Sequence, residues 1–246
     1  MVARGAGPFG GNPFGILIIV LLLFYFFTGG LASPIQNASR DPVGFLGFII
    51  AIALGITVHE FMHAWTAHRF GDDTARLMGR LTLDPRAHLD VFGALLIVLI
   101  GFGYGKPVPV NEARLSPGRI GMTLVSVAGP LTNIALAAIA AIPLRFGTAD
   151  VFSGDYERIL VSVVAFNCLL GVFNMLPIPP LDGSKVVYGL LPPKAAWTWR
   201  SYEQYGPFLL LAMLFLLPYM RIDVLGPLVV TPARFIATLL VGQRVF

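Results

Sequence analysis

Charge is what this 246-residue sequence has least of. Only 12% of its residues are Asp, Glu, Lys or Arg, about half the ~25% of an ordinary soluble domain. A globule of this length needs a large water-facing surface, and so few charges would cover it poorly. The shortage excludes a soluble enzyme, a disordered chain and a nucleic-acid-binding domain. Cysteine is nearly absent too. The single Cys168 cannot close an intramolecular disulfide, and inside an apolar run it reads as a small packing residue. Polar blocks long enough for a separate soluble domain are missing, as is any internal repeat. The longest polar connection is Arg69 to Asp90.

What is present is apolar. Hydrophobic residues make up 56% of the chain and the mean hydropathy is +0.78, so the expected solvent is a bilayer. The formal net charge of +4 is then a topology signal. Apolar runs occupy Phe14–Phe27, Val43–Phe70, Val91–Gly103, Ile120–Leu144, Ile159–Pro179, Pro207–Tyr219 and Val224–Val241. A span takes about 20 residues, so Val91–Gly103 is too short and Pro207–Tyr219 is marginal. The first run could be a signal peptide, with a weak cleavage site at Leu31-Ala32-Ser33; Gly29 to Leu31 extend it to spanning length, which favours an uncleaved first helix. Arg80–Leu83 and Lys106–Val110 alternate in hydropathy and predict short extended segments, a membrane-associated β-hairpin between them. The prolines of the second suit only an edge.

The chemistry is carried by His59-Glu60-Phe61-Met62-His63 inside the second run. With four His and four Glu in the chain, chance placement would give HExxH about 0.001 times. Residues i and i+4 share a helix face, so the two imidazoles converge on one metal ion. Glu60 could then take a proton from a metal-activated water. Three ionisable groups within five residues of a membrane helix are costly unless they serve a function.

Zinc needs a third protein ligand. His68, five residues after His63, points away from their shared face and reads as an interfacial residue beside Arg69. His88 lies in a polar loop and reads as solvated or locally hydrogen-bonded. Asp182 stands out, because it closes the fifth run in Asn174-Met-Leu-Pro-Ile-Pro-Pro-Leu-Asp182-Gly183. The prolines break a helix there, and broken backbone at membrane depth needs protein or a watery cavity around it. Asp182 is either a metal ligand or the N-cap of the next helix, and the HExxH tips the reading to ligand. Gly129-Pro130 and Asn133 read as a kink and a helix-packing amide, and Asp72-Asp73 as a solvated turn after Gly71.

HExxH in one membrane helix and NxxPxPPLDG at the end of a later one resemble the site-2 proteases, zinc intramembrane metalloproteases. Gly79–Pro85, Gly105–Asn111 and Ala128–Asn133 resemble further blocks of the compact prokaryotic members. The resemblance implies zinc held by His59, His63 and Asp182, Glu60 as general base, and Asn174 as a contact to substrate or to the oxyanion. It implies a transmembrane protein as substrate, with the bilayer and no nucleic acid as partners. It also implies one integral-membrane protease domain over residues 1–246, with no room for the PDZ or CBS domains of larger members. A different membrane metallopeptidase would need Glu112, Glu157 or Glu203 as third ligand, and would leave Leu-Asp-Gly unexplained. A transporter or metal-binding membrane protein without peptidase activity would have no use for Glu60.

If HExxH and Leu-Asp-Gly share one zinc, both ends of their helices face the same way, and an odd number of crossings separates them. Ile120–Leu144 supplies one, so Val91–Gly103 should be re-entrant or interfacial. That parity leaves Arg40, Arg145, Arg158 and Arg221 on one side, Arg234 within the last run, and the other twelve of the 17 Lys and Arg on the active-site side. The positive-inside rule then gives a multi-pass cell-membrane protein of about six helices, all-α, with its active-site end toward the cytoplasm.

Overall fold

A computed structural model of the chain describes Ala38 and residues 40–100, 104–147 and 154–246. The first apolar run, with its choice between signal peptide and span, lies outside them. Helix α1 is Pro42–Arg69, followed by the short α2 Thr74–Leu77, α3 Pro85–His88 and α4 Val91–Ile100. Then come α5 Arg119–Arg145, α6 Gly154–Asn174, α7 Asp182–Leu190 and α8 Pro193–Tyr202. The remainder is α9 Gly206–Leu211, α10 Leu217–Tyr219 and α11 Thr231–Val241, with π-helical turns at Ala212–Leu216 and Gly226–Val230. Three of the described helices, α1, α5 and α6, are long and apolar enough to cross a membrane.

Local chemistry sets the ends of α1. The Asp41 carboxylate accepts from Gly44 N at 2.9 Å, Pro42 starts the helix where its missing N–H costs nothing, and His68 and Arg69 sit in the last turn, the favourable end for cations. Gly71, at φ +98°, then turns the chain in a conformation that favours glycine.

Helices α1, α5 and α6 pack on one another, and their contacts give their directions. Gly47 of α1 meets Ile159 and Ser162 of α6, and Gly55 meets Phe166 and Asn167, so these two helices are parallel. Along α5 the order reverses: the Gly55 carbonyl bonds Asn133, while His63, further along α1, bonds Val125. The middle helix α5 is therefore antiparallel to both neighbours, as a zinc site shared by α1 and the end of α6 requires. The shared core is built of small side chains, Ala51, Ala137, Ala141, Val164, Cys168, Ala233 and Ala237, which let backbones approach closely. Cys168 is fully buried there, as its sequence context predicts.

Helix α4 has 10 residues and is about 15 Å long, half the ~30 Å hydrocarbon core. Ile97 packs it against Ile52 and Ile56 of α1. The expected hairpin does not form: among the described residues there is no strand, only an isolated bridge between Leu89 and Gly105. Alternation predicted extended backbone, but pairing needs donors, and Pro107 and Pro109 have none. Instead the Arg80 side chain bonds the carbonyls of Lys106 and Pro107, and Lys106 N donates to the His88 carbonyl at 2.7 Å.

Candidate metal centre

The HExxH turn of α1 faces α5 and the start of α7. His59 Nε2 and His63 Nε2 lie 3.0 and 3.1 Å from the same oxygen, Asp182 Oδ2, and 3.0 Å from each other. All three side chains are buried. This is the only group of three or more metal-ligating side chains within 4.8 Å found among the described residues. Asp182 is the first residue of α7, and Leu181 takes the N-cap position, so its carboxylate is turned to the imidazoles rather than to the helix start. Gly183 makes that placement sterically feasible: a Cβ there would collide with the carbonyl oxygens of Met175 and Leu176.

The donor set fits zinc. The Val125 carbonyl lies 2.7 Å from His63 Nδ1 and can only accept, so His63 Nδ1 donates, and in the neutral imidazole that a metal requires Nε2 turns its lone pair toward the Asp182 carboxylate. Electron pairs that face each other without a hydrogen between them need a cation. Two nitrogens and one carboxylate oxygen are a zinc set, and ligand atoms at zinc distances stand about 3.4 Å apart in a tetrahedron, close to the spacings here.

A cavity of ≈ 370 Å³ opens beside this group, lined among others by Glu60, Tyr104, Val108, Val110, Ser126, Asn174 and Lys185. Glu60 is half-buried, and its Oε2 accepts from Val108 N at 2.9 Å. Asn174 reaches the cavity, with one amide N–H given to the Leu170 carbonyl at 3.0 Å. Lys185 stands on the same face of α7 as Asp182, Nζ 3.5 Å from Asp182 Oδ1.

The other sequence candidates lie elsewhere. His68 pairs with Asp73 at 2.6 Å, and His88 is fully buried with Nε2 2.7 Å from the Thr82 carbonyl. Glu112 accepts from the Tyr188 hydroxyl, Glu157 borders a separate cavity beside Arg145, and Glu203 is in a 3-10 turn. Asp72 corrects the solvated-turn reading. It is fully buried and accepts from Thr74 N, Thr74 Oγ1 and Asn111 N at 3.0, 2.5 and 2.6 Å.

Two site residues went unread as such. Asn133 Oδ1 lies 2.6 Å from His59 Nδ1, so the amide does more than pack helices. Gly129 lies under both imidazoles; a Cβ there would stand 2.5 Å from His63 Nε2 and 2.8 Å from His59 Cε1. Their signal was the polar amide one helical turn past a Gly-Pro, in a helix with no other Asn, Gln, Asp or Glu.

The comparisons agree with the donor set. Residues 47–152 match the model of "Peptidase family M50". The Bacillus subtilis protein named "Putative zinc metalloprotease YwhC" is 39% identical over 176 residues, 69% of this chain and 80% of that one. "Putative zinc metalloprotease Rip2" of Mycobacterium tuberculosis H37Rv is 34% identical over 206 residues, 78% of this chain and 76% of its own. A Methanocaldococcus jannaschii protein, "Putative zinc metalloprotease MJ0611", is 31% identical over 149 residues, covering 58% and 70%. No solved structure matches the chain.

Proposed function

The chain belongs to peptidase family M50, the site-2 proteases, and is a zinc metalloprotease; from that premise we propose that it hydrolyses peptide bonds within or next to the transmembrane segments of membrane-protein substrates. The observation that carries this reading is the convergence of His59, His63 and Asp182 beside Glu60 in a cavity walled by apolar helices. In this reading His59, His63 and Asp182 hold the metal. Zinc, when bound, supplies a Lewis acid that acidifies water and polarises a carbonyl. Glu60 takes the proton of the attacking water and passes it to the leaving nitrogen. Asn174 offers its remaining amide hydrogen to the developing oxyanion.

A substrate helix must unwind locally, since its own turn shields each peptide bond. The Lys106–Val110 segment belongs to no helix or strand, and Val108 and Val110 line the cavity. Prolines at 107 and 109 offer no donor and the Val108 N–H is given to Glu60, so the Val110 N–H and neighbouring carbonyl oxygens are what this segment offers an unwound strand. The fold is read as one domain with about six crossings. The cation-rich side, which holds the active-site end, is cytoplasmic by the positive-inside rule.

The test is purified protein with zinc, given a single-span membrane substrate and a soluble unfolded peptide in parallel. Cuts inside or at the edge of the span are expected. Cleavage of the soluble peptide alone would remove the intramembrane reading and leave the metalloprotease.

A further inference from the structure

A histidine can offer a metal either ring nitrogen, and the partner of the opposite nitrogen decides which. For His59 that partner is Asn133, whose orientation is set by two backbone carbonyls. Asn133 Nδ2 lies 3.0 Å from the Gly55 carbonyl oxygen and 2.8 Å from Asn167 Oδ1. Asn167 Nδ2 in turn lies 2.9 Å from the Val163 carbonyl oxygen. Carbonyl oxygens only accept. The Val163 carbonyl fixes the Asn167 NH2 toward itself and leaves Asn167 Oδ1 for Asn133. The Gly55 carbonyl fixes the Asn133 NH2 in the same way and leaves Asn133 Oδ1 for His59. Turning over either amide would set acceptor against acceptor at its carbonyl end. Both asparagines are fully buried, so water does not substitute for a lost partner.

We propose that Asn133 and Asn167 are positioning residues of the metal centre. The relay from Val163 through Asn167 and Asn133 holds His59 with its proton on Nδ1 and its Nε2 lone pair toward the metal position. The inference rests on reading His59, His63 and Asp182 as the zinc ligands. It also separates the two histidines. His63 is oriented by the backbone carbonyl of Val125, which no side-chain substitution removes, whereas His59 depends on two side chains. His63 is therefore an internal control for His59.

The test compares wild type, Asn167→Leu and Asn133→Leu, each stripped and titrated with Zn2+ against a chelating competitor. Loss of such an outer partner typically weakens metal affinity 10–100-fold. About that loss is expected for Asn133→Leu and a smaller one for Asn167→Leu. Thermal unfolding of the metal-free proteins measures bundle packing separately. Nitrogen-15 histidine spectra of the zinc-loaded proteins supply a readout that packing alone does not move. His59 signals should change in both variants while those of His63 stay in place. Should a variant fail to fold, the wild-type spectrum still decides, with a protonated Nδ1 and a metal-bound Nε2 expected for His59. Wild-type zinc affinity in both variants, or a His59 that binds through Nδ1, would overturn the relay and leave the zinc reading intact. A wild-type protein that takes up no zinc would overturn both.

Discussion

Each imidazole at the metal centre makes a contact through its Nδ1, to Asn133 for His59 and to Val125 for His63, and the space beneath both rings is left by Gly129. Gly129→Ala should therefore displace the His63 ring and lower zinc affinity, with an overpacking cost of about 1–3 kcal/mol; zinc titration and thermal unfolding of the variant check both. Asn174→Ala should leave zinc in place and lower turnover by about 10²–10³-fold, the usual cost of losing one oxyanion donor. An unchanged rate would make Asn174 a helix residue bonded to Leu170 and no more. At this scale the sequence was legible where spacing is local: i and i+4 put His59 and His63 together, and the proline-framed Leu-Asp-Gly marked Asp182. It marked Asn133 only as a packing amide, because the amide that reaches His59 lies 74 residues away and its orientation depends on the packing of three helices.

Between residues and the bundle stand the loops that wall the cavity. Lys106–Val110 is held at its start by the Arg80 side chain, at its middle by Glu60 and just past its end by Asp72, through Asn111 N. Hydropathy alternation suggested a strand but could not show what holds this segment, which is side chains distant in sequence; hence the expected hairpin and the misread Asp72. Burial alone would raise the Asp72 carboxyl. The Thr74 hydroxyl, the N–H groups of Asn111 and Thr74, and the Arg114 charge outweigh it and hold the carboxyl below its ordinary value. A carboxyl lowered in the folded state adds stability at any pH above its unfolded value of about 3.9, and that stability is lost as pH falls through the folded value. Asp72→Asn should thus be less stable at neutral pH, by about 1–3 kcal/mol for the donors left facing an amide. The difference from wild type should shrink in acid. A constant difference from pH 7 down to the acid limit would show that the charge contributes nothing.

In the molecule as a whole, α1 and α6 run parallel and in contact with α5 reversed against both, and the short α4 does not add a crossing by length. Parity and run length made that arrangement legible from the sequence, because helix direction follows from counting spans; the side-chain relay inside it does not. Cysteines placed at Arg86 and Arg114 in a Cys168→Ser background should label from the same side of the membrane, the cytoplasmic one. Labelling from opposite faces would mean that Val91–Gly103 crosses, and would break the parity on which the shared site depends.

If zinc held by His59, His63 and Asp182 works with Glu60 as base, Glu60→Gln should separate metal binding from catalysis. The amide keeps the side chain's volume, still offers an oxygen to Val108 N, and touches none of the three proposed ligands. It removes only the proton acceptor. Zinc stoichiometry and cleavage of a single-span substrate should be measured on one preparation of the variant. Full zinc occupancy with cleavage abolished is expected. Retained cleavage with retained zinc would contradict the base assignment, and lost zinc would make Glu60 part of the metal site itself.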